Sequence, residues 1–160
     1  MKPVLIGINN AYVFFGTTLY CGVLWALHFF WYPTWRVFLV DNYYDHFIPP
    51  TAAATKFFTI VVPLMFLCHA IMVWKNWKTD MRWVSIIPLV CLTAASYVGQ
   101  LHIIPINKIL ATRITDQARL TELFQQWMFL NDIRWVLMTI AWVAMMYYFG
   151  YKAYKWDARA

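Results

Sequence analysis

Apolar positions along this chain come in long blocks rather than alternating stripes. Ala11–Trp31, Phe57–Trp74, Trp83–Ile104 and Trp135–Tyr151 contain no Asp, Glu, Lys or Arg. Each is close to the roughly 17–25 residues that a helix needs to cross a hydrocarbon layer. In lipid, only helices and closed barrels satisfy their own backbone, and these blocks lack the alternation of a barrel strand. The pattern therefore predicts four membrane-spanning helices. The first block is followed by Trp31-Tyr32-Pro33-Thr34-Trp35 rather than by small residues, so it reads as a retained anchor, not a cleaved leader.

The stretches between blocks are patterned too. Pro33 and the Pro49-Pro50 pair bracket a mixed segment, Thr34–Ile48, and Thr51 is placed to cap the second helix. Before the fourth block, Leu120, Leu123, Phe124 and Trp127 recur at helical spacing, with Arg119, Glu122, Gln125 and Gln126 between them. Asp116 is a candidate N-cap. This predicts an amphipathic helix that lies at the interface or extends the fourth span outward. The expected fold is all-α: one domain over residues 1–160, an integral membrane bundle of four transmembrane helices with an additional interfacial amphipathic helix before the fourth span.

Composition agrees with the pattern. The 160 residues are 62% hydrophobic and 12% charged, against roughly 45–50% and about 25% in soluble domains. Trp and Tyr crowd the block ends as an aromatic belt does at headgroup depth. The net charge of +6 sits at those ends instead of on one soluble face. That excludes a nucleic-acid binder and leaves the lipid bilayer as the first partner.

Four crossings put the N-terminus, the 75–82 loop and the C-terminal tail on one side, A, and residues 32–56 and 105–134 on the other, B. Side A holds Lys2, Lys75, Lys78, Arg82, Lys152, Lys155 and Arg159 against Asp80 and Asp157, a net +5. Side B holds six basic and five acidic residues, a net +1. Short basic loops face the cytoplasm. Both termini are therefore expected in the cytoplasm, and a bacterial inner membrane is the expected location. Cys21, Cys68 and Cys91 lie inside blocks, form no CxxC pair, and predict no disulfide framework.

Candidate chemistry gathers on side B. His28 and His102 each lie within a turn of that end, and His46 is in the connection between the first two spans. Ionisable groups at membrane depth usually face a bundle interior or a wet cavity. Neutral imidazole binds copper, zinc and haem iron, so His28 and His102 are candidate metal ligands, with haem or copper as candidate cofactors. Asp45, His46 and Asp132 could move protons. Asn107 and Arg134 could orient a carbonyl or phenolate oxygen, and Trp31 and Trp127 could line a flat apolar substrate. His69, with Cys68, Met65 and Met72 near it, is a second place where soft ligands could hold Cu(I). Pro63 and Pro88 can kink their helices and open a cavity.

Ile104-Pro105-Ile106-Asn107-Lys108, then Trp127, then Asn131-Asp132-Ile133-Arg134 leads into the fourth block. This Pro-x-Asn, Trp, Arg order on a four-span chain resembles the anthrone oxygenase-like family of small membrane proteins. The resemblance implies family positions at Pro105, Asn107, Trp127 and Arg134. It also implies, as in a few fungal members, oxidation of an anthrone to an anthraquinone by molecular oxygen. Trp25-Ala26-Leu27-His28 with Trp31 resembles the first helix of small haem-binding membrane protoporphyrinogen oxidases, a pattern from which the rest of the chain departs.

The expected function is a small membrane oxidoreductase of oxygenase type. Its polar pocket, with metal or haem as candidate cofactor, lies at the extracytoplasmic face and takes a hydrophobic aromatic or quinone-like substrate. The alternative is a non-catalytic membrane subunit or anchor of a larger electron-transfer complex, with that complex or a second copy of the chain as protein partner.

Overall fold

The apolar blocks fold as the centres of four long helices. A computed structural model describes residues 3–158; Lys2 and Arg159, which count toward the side-A charge, lie outside the described residues. Among those residues the helices are α1 (Pro3–Trp35), α2 (Tyr43–Asn76), α3 (Arg82–Leu110) and α4 (Gln117–Asp157). All four are long and apolar enough to cross a membrane. The tightest pairing is α3 with α4; α1 packs on α2 and α4, and α2 on α3.

Each helix overruns its apolar block, and most of the overrun is on side B. The expected side-B connections are mainly helix, leaving short joins between Trp35 and Tyr43 and between Leu110 and Gln117. The amphipathic segment before the fourth span is not a separate helix, because Gln117–Asp157 runs unbroken for 41 residues. Its apolar face, Leu120, Leu123, Phe124 and Trp127, packs on Tyr43, Phe47, Ile106 and Leu110 in an aromatic outer core. That burial holds the segment in line with the span. Asp116 caps it, accepting from the N–H groups of Ala118 (2.9 Å) and Arg119 (3.4 Å).

Two sequence expectations are corrected. Thr51 does not cap the second helix, which starts at Tyr43 and runs through Pro49 and Pro50. Its hydroxyl instead donates to the carbonyls of Phe47 (2.7 Å) and Ile48 (3.1 Å). The helix tolerates the two prolines because Asp45 and His46, whose carbonyls lose their i+4 donors, are exposed. Residues 105–110, expected in the side-B connection, instead continue the third helix to Leu110.

Prolines leave a different mark. Leu27–Trp31 in α1 and Gly99–Ile103 in α3 are π turns. They are closed by Tyr32 N–H to Leu27 O and by Ile104 N–H to Gly99 O. Pro33 and Pro105 each follow two residues later. A helical proline collides with the carbonyl four residues back, here Phe29 and Leu101, both inside the π turns. Widening the turn removes the collision.

Below the outer core, a middle cluster forms around Tyr20, Leu24, Met65, Leu92, Ala95 and Met138. A side-A cluster forms around Val13, Met72, Met145 and Tyr148. Two buried amides at these levels bond across helices. Asn76 donates to the Tyr148 hydroxyl at 2.9 Å, and Asn9 donates to the Cys68 carbonyl at 3.1 Å.

Candidate functional site: a cavity in the outer half of the bundle

Between the middle and outer cores the helices separate around a cavity of about 1130 Å³. α1 contributes Tyr20, Leu24, Leu27, Trp31 and Trp35, and α2 contributes His46 and a run from Pro50 to Phe66. Ser96, Gly99, Gln100 and Asn107 come from α3, and Trp127, Asn131 and Arg134 from α4. Part of the α2 wall is built of small residues. Ala53, Ala54 and Thr55 line the cavity while remaining exposed on the bundle surface, so the cavity opens sideways past this segment. Both π turns face it, through Leu27 and Trp31 and through Gly99, Gln100 and Ile103.

The polar end is organised around Arg134. Its Nη1 donates to Asn131 Oδ1 at 2.6 Å, and its Nη2 donates to the Tyr20 hydroxyl. Asn131 is itself fixed, donating to the Trp127 carbonyl at 3.0 Å. The guanidinium lies over Gly99, where a Cβ would meet Arg134 Cζ at 3.7 Å. Trp127 donates its indole N–H to Asn107 Oδ1 at 2.8 Å, tying α4 to the end of α3. Arg134 Nε and Ser96 Oγ are buried and have no hydrogen-bond partner among the described residues. The ion pairs there are His28 with Asp132 and Arg119 with Glu122, so Arg134 has no carboxylate.

Asp132 cannot serve Arg134, because residues two apart on a helix point about 200° apart. It faces α1 and bonds His28 Nδ1 at 2.8 Å. The His28 ring stacks on Trp135, with centroids 4.4 Å apart and planes at 10°.

The structure thus brings Trp31, His46, Asn107, Trp127 and Arg134 to one cavity. It sets His28 with Asp132 on a neighbouring, half-exposed face. His102 is exposed beside Tyr97, with ring centroids 6.3 Å apart, and does not line the cavity. Asp45 is exposed and also lies outside it. Among the described residues no group of three or more His, Cys, Asp or Glu side chains could hold a metal ion. Both His69 ring nitrogens are occupied: Nδ1 lies 2.7 Å from the Met65 carbonyl and Nε2 lies 3.3 Å from Thr17 Oγ1.

The sequence reading missed Tyr20, Ser96, Gly99 as a cavity residue, and Asn131. Asn131 stands in the Asn-Asp-x-Arg stretch, one helical turn before Arg134, and that spacing was its signal. Tyr20 and Ser96 carry no such signal, since hydroxyl side chains inside apolar spans are ordinary.

The fold and the cavity define a class, a four-helix protein with an aromatic-walled cavity and an acid-free arginine at its polar end. Comparison with protein-family models, curated proteins and solved structures finds no match.

Proposed function

We propose that the chain is a small integral membrane oxidoreductase of oxygenase type. It takes a flat, apolar aromatic substrate into the outer cavity with the substrate's oxygen toward Arg134. The observation that carries this reading is the Arg134 guanidinium, without an acid, inside a cavity walled by Trp31, Trp35, Trp127, Phe57, Phe58 and Phe66. A fixed positive charge in a low-dielectric site stabilises oxygen-centred negative charge as it develops in a reaction. Asn131 and Tyr20 hold the guanidinium in place, and Asn107 is steadied by Trp127. By the anthrone oxygenase-like resemblance, a ring CH₂ becomes C=O. One atom of O₂ enters the substrate and the other leaves as water with the two hydrogens. His46, exposed at the cavity mouth, is placed to exchange protons with water.

In this reading the termini are cytoplasmic, and the outer half of α4 stands at headgroup depth on the opposite face. A cysteine placed in 77–80 should resist an impermeant thiol reagent in intact cells, whereas one in 37–41 should react; the reverse result overturns the orientation.

The direct test is oxygen uptake by the detergent-purified protein given an anthrone. Turnover should appear, and Arg134→Ala should lower kcat/KM by about 10²–10³-fold. No oxygen consumption by the wild-type protein with anthrones or hydroquinones would remove the oxygenase reading.

A further inference from the structure

We infer that the polar end of the cavity is an anion subsite, formed by Arg134 and Ser96, that selects apolar acids and phenolates, among them the ionised enol form of an anthrone, over neutral quinones and ketones. The inference rests on the same cavity as the proposed function but concerns the charge of what binds there.

Three observations carry it. First, Arg134 is charged at every accessible pH, yet its neighbours at hydrogen-bond distance are the neutral Asn131 and Tyr20. Arg134 is half-buried; a charge drawn partly out of water without a counterion is costly, and a neutral carbonyl would leave it uncompensated where a carboxylate or phenolate would balance it. Second, of the three buried donors without a partner among the described residues, Arg134 Nε–H, the Ser96 hydroxyl and the Trp135 indole N–H, the first two belong to residues at this end of the cavity. Buried polar groups in folded proteins nearly always have partners. Third, Gly99, one turn from Ser96 on α3, lies against the guanidinium without a side chain, so it offers no group of its own to compete with a ligand there. The remaining walls are aromatic and aliphatic, so the body of the ligand is apolar. An ionised oxygen on such a body describes a polycyclic aromatic acid or phenolate. A fatty acid offers the same head on a different body.

Trp31, Trp35 and Trp127 line the cavity, so tryptophan fluorescence of the intact protein in detergent reports occupancy. The probes are anthracene-2-carboxylate with its methyl ester, and palmitate with its methyl ester. The planar acid should bind about tenfold or more tightly than its ester, the gain expected of a hydrogen-bonded charge. Arg134→Gln should abolish that preference, Arg134→Lys should keep part of it, and Ser96→Ala should reduce it several-fold. Equal binding of acid and ester overturns the inference, and so does a preference that survives Arg134→Gln in protein that still elutes as the wild type does. A preference for palmitate over anthracene-2-carboxylate overturns the aromatic body but keeps the anion subsite. Because binding is read without turnover, an anion-selective protein that consumes no oxygen removes the proposed function alone. Turnover of neutral substrates with charge-blind binding removes the subsite alone.

Discussion

Trp127 does two jobs at once. Its ring belongs to the aromatic outer core beside Phe47 and Trp35, with centroids 5.2 and 5.5 Å away, and its edge lines the cavity. Its indole N–H is the partner of Asn107. Trp127→Ala should therefore destabilise the protein by about 3–5 kcal/mol, the cost of emptying a large aromatic site. Trp127→Phe keeps the ring and strands the Asn107 oxygen, for about 1–3 kcal/mol. Unfolding in graded detergent mixtures measures both; equal losses would mean that the hydrogen bond, not the packing, sets the stability. At this scale the sequence was readable where chemistry is conspicuous. Asn107, Trp127 and Arg134 stand out as polar and aromatic residues close to the ends of apolar blocks. Ser96 does not, since nothing local shows that its hydroxyl will lack a partner. Ala95, one turn before Gly99, is fully buried in the middle core, while Gly99 lies beside the Arg134 guanidinium.

At the scale of elements, block length foretold the four helices and the outer turns escaped it. Hydropathy marks where lipid must be crossed, and the helices go on past that point because their outer halves share a second core. Nothing in a single apolar run shows that Phe47, Phe124 and Trp127 will meet. The π turns had a visible cause in Pro33 and Pro105, whereas the sequence pointed to kinks at Pro63 and Pro88. A π turn holds one residue more than an α turn. Deleting one residue within Leu27–Trp31 in a Pro33→Ala background, which removes the collision that widens the turn, should restore ordinary helix and leave the flanking faces in register. Loss of Phe30, which is 74% exposed, should keep a wild-type elution profile and helical circular dichroism. Loss of Leu19, in regular helix, should rotate one flank by about 100° and unfold the bundle. Equal damage from the two deletions would show that the turn does not absorb the extra residue.

Across the whole molecule, the two ends of the bundle are built differently. Toward side A the helices close on sulfur, tyrosine and amide contacts around Met72, Met145, Tyr148 and Asn76. Toward side B they part around the cavity and close again above it. The α2 stretch from Pro50 to Thr59 is the thin wall, and in the proposed membrane setting it faces the bilayer. Under the proposed function, this asymmetry decides which phase supplies the ligand. A molecule that reaches the cavity past α2 comes from the acyl chains of a single leaflet, so its working concentration is set by its partition into that leaflet. Each additional fused ring raises that local concentration without adding any contact to the protein. Apparent affinities expressed per volume of water will therefore climb with ligand hydrophobicity, while affinities expressed per mole of lipid will rank ligands by their fit to Arg134 and the tryptophan walls.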